Sequence, residues 1–473
     1  MLFSSLIFLF IFLPAVLAFY YLSPRKYRNS VLLIFSLFFY LWGSGWFLFF
    51  FIFSTMVDYV VGLFIDRNKG SNSARWWLLL SVVFNLSLLA YFKYSNFFIA
   101  NINDTLLHLG VKPTVWTKVI LPIGISFFTF HKISYIVDVY RGTRHALISF
   151  VDFALYLAFF PQLIAGPIVR FHEINEQIKT RTETLEKFYQ GVFRFFWGLI
   201  KKIIFANSCG IIADMVFGLD NGTIDFKLAW LGVFSYTLQI YLDFSAYSDM
   251  AIGLGLMFGF KLPENFNRPY SAINITDFWR RWHMSLSRFF RDYVYIPIGG
   301  NRQSPLRMYL NLMIVFILCG FWHGANWTFL FWGIYHGGLL IAERLTRWRD
   351  ITSPTYIVFR RFVTFILVMI GWTFFRAENL GQALGILKIM VSPANLPIPW
   401  EVSIVLNARN VIFLFLASLV VFLPRDFSVS GFLISERVTI LRPLLAGLLI
   451  VLVLYSIASI ATGSYNPFIY YQF

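Results

Sequence analysis

Phe321-Trp322-His323-Gly324-Ala325-Asn326-Trp327 sets a histidine and an asparagine inside an apolar run from 308 to 340 that is otherwise built for lipid. A charged side chain in hydrocarbon costs roughly 2.5–3.5 kcal/mol on insertion scales, so an ionisable residue held there marks a functional-site candidate. The run has 33 residues, too many for one untilted crossing at a rise of about 1.5 Å per residue. Gly320, Gly324, Gly333, Gly337 and Gly338 permit close packing or a break. The stretch therefore reads as membrane helix carrying a chemical group, with His323 well within the bilayer's depth.

The rest of the chain agrees. Of 473 residues, 58% are hydrophobic and only 13% charged, with a mean hydropathy of +0.69, which does not describe soluble domains. Apolar stretches fall at about 2–21, 30–43, 45–65, 76–100, 117–139, 150–168, 188–217, 226–258, 308–340, 356–374, 409–424 and 441–462. Backbone groups in hydrocarbon must be satisfied within their own segment, so these read as helices. The expectation is an all-α polytopic membrane protein with about 10–12 crossings, forming a single membrane domain over 1–473. The first twenty residues read as a retained span with its start outside, because no positive charge precedes their apolar run and Arg25, Lys26 and Arg28 follow it.

The net charge of +16 is dispersed in short clusters between apolar runs, which fits a positive-inside bias rather than a nucleic-acid face. Arg25 to Arg28, Arg67 to Arg75, Arg141 to Arg144 and Arg170 to Lys187 are all expected on the cytoplasmic side. For the last two clusters to share a side, the intervening segment must turn back. Pro161-Gln162-Leu163-Ile164-Ala165-Gly166-Pro167 supplies the helix breakers for a re-entrant element. The basic stretch from Lys261 to Arg307 is also expected to face the cytoplasm. Cys209 and Cys319 have no C-x-x-C spacing or nearby ligand pattern, so neither a disulfide framework nor a metal site is expected.

Two further clusters hold chemistry. Phe278-Trp279-Arg280-Arg281-Trp282-His283, followed by Arg291, alternates indoles with guanidiniums. That suits either a phosphorylated, ring-bearing ligand or a membrane-interface belt of snorkelling arginines. In Tyr241 to Asp249 the carboxylates Asp243 and Asp249 stand six apart, able to orient a histidine, accept a proton or, at lower cost, pair with the arginines of the Trp-Arg cluster. A buried neutral imidazole at His323 suits general-base work on a hydroxyl, with a structural role as the alternative. His336, off that helical face, reads as structural. Walker-type, H-E-x-x-H and G-x-S-x-G patterns are absent.

These clusters, with Leu121 to Phe127, Pro161 to Pro167 and the opening Met1 to Ser5, resemble the membrane-bound O-acyltransferase family. Within it they are similar to the membrane subunits of bacterial alginate, peptidoglycan and cellulose O-acetylation. The resemblance runs to about Gly338 and is loose beyond. It implies a helical bundle around a central tunnel, with re-entrant segments and a catalytic core over about 117–340, in a bacterial inner membrane. It further implies His323 as catalytic base or acyl relay and His283 as a second catalytic position. Trp279, Arg280, Arg281, Trp282, Arg291, Asn326 and Trp327 are then expected to bind the donor and steady the reacting group. No bound cofactor is expected; acetyl-coenzyme A is the expected donor. The expected partners are lipid, a separate extracytoplasmic SGNH-type acetyltransferase and, through it, a polysaccharide. D-alanyl transfer to teichoic acid from a carrier protein is an alternative, as is a polysaccharide transporter without chemistry of its own.

Overall fold

Helices build all of the regular structure among the described residues, which in this computed structural model are 1–164, 166–350, 354–422, 442–463 and 465–467. Packing gathers the chain into two units, one of residues 1–188 and 254–263, the other of 189–253 and 264–473.

The first unit holds α1 (Leu13–Leu22), α2 (Arg28–Ser44), α3 (Phe47–Arg67), α4 (Asn72–Leu89), α5 (Ser95–His108), α6 (Ile125–Tyr140), α7 (Phe150–Ala158) and α8 (Phe171–Lys179). Its abundant phenylalanine becomes core. Phe3, Phe8, Phe12, Phe39 and Phe160 are buried together, with ring centroids 5.0 Å apart for Phe3–Phe8 and 5.3 Å for Phe12–Phe160. Aromatic pairs of this kind contribute roughly 0.5–1.5 kcal/mol beyond their buried area. The segment expected to turn back does break. α7 has nine residues, about 13 Å of helix and too short to cross a bilayer. A single turn, Phe160–Leu163, follows it before extended chain leads into α8. Ala165 lies outside the described residues.

The basic clusters of this unit share one side. Arg28 and Arg181 converge on the Glu183 carboxylate at 3.0 and 3.7 Å, Arg144 pairs with Glu176 at 2.9 Å, and His145 meets Asp66 at 3.1 Å. The chain ends at 28, 66, 144 and 181 are thus tied together, as the charge pattern requires.

The second unit holds α9 (Leu185–Ile200, entering from the first unit), α10 (Asn207–Phe217), α11 (Phe226–Met257, whose last turn belongs to the first unit), α12 (Ile275–Trp279) and α13 (Met284–Phe290). It continues with α14 (Pro305–His323), α15 (Trp327–Leu345), α16 (Ile357–Arg376), α17 (Leu380–Ile389), α18 (Ala408–Phe422) and α19 (Arg442–Ala461). A π-helical stretch, Lys201–Ala206, joins α9 to α10.

Among the described residues four helices are long and apolar enough to cross a membrane: Phe47–Arg67, Asn72–His108, Pro305–His323 and Ile357–Arg376. Shorter apolar helices cover Phe8–Leu22, Leu380–Ile389, Ala408–Phe422 and Ala446–Ala461. Hydropathy sums cannot distinguish one straight helix from two short ones joined by a bend. The 308–340 run is the clearest case. It opens earlier than expected, at Pro305, where the Ser304 hydroxyl caps the helix by accepting from the Arg307 amide. It then breaks at Gly324, whose backbone is extended, and restarts after Asn326 as α15. The two halves pack face to face through glycines, since a Cβ on Gly320 or Gly333 would run into the carbonyl of Phe329 or Phe316.

Candidate active site

His323 is the last residue of α14, about 27 Å along the axis from Pro305 at the usual helical rise. The turn behind it is fixed by Asn326. Its side-chain oxygen accepts from the Thr328 amide at 3.1 Å to cap α15, and its Nδ2 donates to the Glu378 carbonyl at 3.0 Å. This holds the His323 ring against Trp322, Phe375 and Trp332, with centroids at 4.9, 5.1 and 5.2 Å. The residue is 4% exposed.

His283 arrives from a different element. It precedes α13 with φ 42° and ψ 52°, left-handed values that a side chain adopts only at a cost. The segment around Asn265 holds it there. The Met284 amide donates to the Asn265 carbonyl at 2.9 Å, the Ser285 hydroxyl to Asn265 Oδ1 at 2.6 Å, and the Asn267 amide to the Arg281 carbonyl at 2.9 Å. The His283 ring lies 4.6 Å from Phe244 and 6.4 Å from His323. It is fully buried, neither ring nitrogen has a hydrogen-bond partner among the described residues, and burial pushes its imidazole down to about 3. It is therefore neutral, with one N–H free to donate.

The structure thus brings His283 and His323 together, although forty residues separate them. It distributes the other candidates differently. Trp279 and Trp282 turn inward, Trp282 against Trp372 at 4.7 Å and Trp279 against Trp332 at 5.6 Å. Arg280 is exposed. Arg281 pairs with Asp277 at 2.7 Å, Arg291 is exposed and pairs with Asp292 at 2.7 Å, and Trp327 is half exposed. His336 is fully buried and lies 5.0 Å from Trp332, on the far side of the same ring cluster.

Asp243 and Asp249 take cations that the sequence reading passed over. Asp249 meets Arg194 at 2.8 Å and Lys201 at 2.6 Å, and Asp243 meets Lys202 at 2.8 Å. Pairing with the arginines of the Trp-Arg cluster is therefore not what these carboxylates do: the arginine at Asp249 is Arg194 of α9. Lys201 and Lys202 lie at the π-helical stretch. Two adjacent lysines in an apolar run were the available signal, because buried cations require partners and π-turns recur at functional sites.

The family model for the membrane-bound O-acyltransferases matches residues 143–376, a span holding both histidines and their ring cluster. The probable alginate O-acetylase AlgI of Azotobacter vinelandii is 51% identical over 384 residues, 81% of this chain and 76% of that protein. The chain belongs to the membrane-bound O-acyltransferase family. Similarity extends to the ends: AlgI of Pseudomonas putida is 42% identical over 493 aligned residues, covering 100% of both chains. The peptidoglycan O-acetyltransferase of Helicobacter pylori is 39% identical over 434, covering 83% of this chain and 80% of that one. Together with the apolar helices, membership makes the protein a multi-pass membrane O-acyltransferase, with the all-α polytopic fold its sequence implies.

Proposed function

We propose that this enzyme takes an acetyl group from a cytoplasmic thioester, acetyl-coenzyme A, and passes it across a bacterial inner membrane for O-acetylation of a polysaccharide. Alginate-type exopolysaccharide is the first choice and peptidoglycan the second. The observation that carries the reading is the pairing of His323 with neutral His283 inside the ring cluster. In one route His323 takes the proton of the acceptor hydroxyl as its oxygen bonds to the acetyl carbon. His283 donates to the oxyanion, the C–S bond breaks, and the departing thiolate takes the proton from the imidazolium. In the other route a His323 nitrogen bonds the acetyl carbon first, expelling the thiolate, and the acceptor oxygen then displaces the ring, its hydroxyl proton passing to the thiolate. Asn326 is engaged at both ends in holding the turn, so the oxyanion role falls to His283. Exposed Arg280 and Arg291 suit the donor's phosphates. Delivery to the polymer is assigned to a separate extracytoplasmic SGNH-type transferase.

The test is labelled-acetyl transfer from acetyl-coenzyme A in proteoliposomes. His323→Ala should abolish it and His283→Ala should lower it about 10²–10³-fold, the usual loss for an oxyanion donor. Transfer retained by His323→Ala refutes the assignment. Labelling from a D-alanyl carrier protein in place of acetyl-coenzyme A moves the enzyme to the teichoic-acid reading.

A further inference from the structure

Either route leaves His323 positively charged in mid-reaction, as imidazolium or acyl-imidazolium, in an interior where an uncompensated charge is expensive. The ring's surroundings offer a compensation. Trp322, Phe375 and Trp332 stand at interplanar angles of 74°, 73° and 84° to it, each with its centroid within 5.2 Å. In a perpendicular pair one ring's edge meets the other's face. Each such neighbour either sets its own edge against the imidazole face or offers its face to the imidazole edge, where the charge and the N–H groups lie. Aromatic faces attract cations within about 6 Å of their centroids. Trp332 is also braced from behind, by Trp372 at 5.9 Å, His336 at 5.0 Å and Phe375 at 5.3 Å. It is fully buried and cannot swing away.

We infer that Trp322, Trp332 and Phe375 form an aromatic cage that stabilises the positive charge His323 acquires during transfer. The cage rings are positioning residues, acting through the imidazole and not on the substrate. The inference rests on the catalytic reading of His323 given above.

The experiment replaces each of the three residues, one at a time, with its fluorinated analogues in the full-length enzyme. Fluorine withdraws charge from the ring face with little change of shape, so folding is preserved where Trp332→Leu would open a cavity in the buried cluster. With acetyl-coenzyme A in proteoliposomes, kcat should fall stepwise with fluorine number at one or more of the positions. The fall should reach about tenfold, the scale of a desolvated cation–π contact, while KM for the donor stays within twofold. A kcat that stays within twofold across the series at all three positions overturns the cage. So does a KM that moves while kcat does not, since that reads packing alone. His323→Ala separates the two levels: activity in that variant defeats the catalytic reading itself, whereas an inactive His323→Ala beside a flat fluorination series defeats only the cage.

Discussion

At the scale of single residues, the costliest feature of the site is the left-handed backbone at His283, a conformation glycine or asparagine would adopt with less strain. Asn265 compensates for it through its carbonyl and Oδ1, while its Nδ2 has no partner among the described residues. Asn265→Ala removes the acceptor that fixes Ser285 and should lower kcat about 10–100-fold, the cost of misplacing a catalytic group by around an ångström. Asn265→Asp keeps that oxygen and should lie nearer to wild type. Steady-state acetyl transfer by the two variants tests this, and a fully active Asn265→Ala would show that His283 holds its place unaided. None of this was legible in Trp279 to His283. The motif announces indoles, guanidiniums and an imidazole, but not that the indoles turn inward while Arg280 stays outside. That division is decided by Trp332 and Trp372, which approach from other helices.

At the scale of elements, the sequence marks where a helix can break better than where its charges go. Pro161 to Pro167 and Gly324 both proved to be breaks, because a missing amide or missing Cβ acts locally. Asp58 and Lys132, by contrast, each look like an isolated fault in an apolar helix. The fold makes them one buried group: Lys132 Nζ lies 3.4 Å from Asp58 and 2.7 Å from Ser54, while Ser81 and Asn85 donate to the Asp58 carboxylate at 2.6 and 2.9 Å. This cluster pins α3, α4 and α6 together. Asp58→Ala strands the lysine and should destabilise the protein by about 3–5 kcal/mol, whereas Asp58→Leu combined with Lys132→Met should recover most of the loss. Thermal unfolding in detergent micelles measures both. A double variant no more stable than Asp58→Ala would mean that the hydrogen bonds from Ser81 and Asn85, and not the ion pair, join these helices.

At the scale of the whole molecule, charge decides orientation, since cytoplasmic loops carry the excess of lysine and arginine. In the first unit the ion pairs to Glu176 and Glu183 make Arg144 and Arg181 neighbours on one side, so their positions in the membrane cannot be assigned independently. The donor thioester is cytoplasmic in the proposed reaction, and this basic side is the one expected to face it. The chain's own cysteines, Cys209 and Cys319, are both buried, which makes a labelling experiment direct. Arg144→Cys and Lys187→Cys, introduced singly, should resist a membrane-impermeant maleimide in intact cells and react once the membrane is opened. From charge alone, Arg302→Cys should do the same. Labelling of Arg144→Cys in intact cells would invert the first unit and place its basic face away from the donor. Protection of both first-unit positions together with exposure of Arg302→Cys would keep that unit's orientation and contradict only the charge-based placement of the loop before α14.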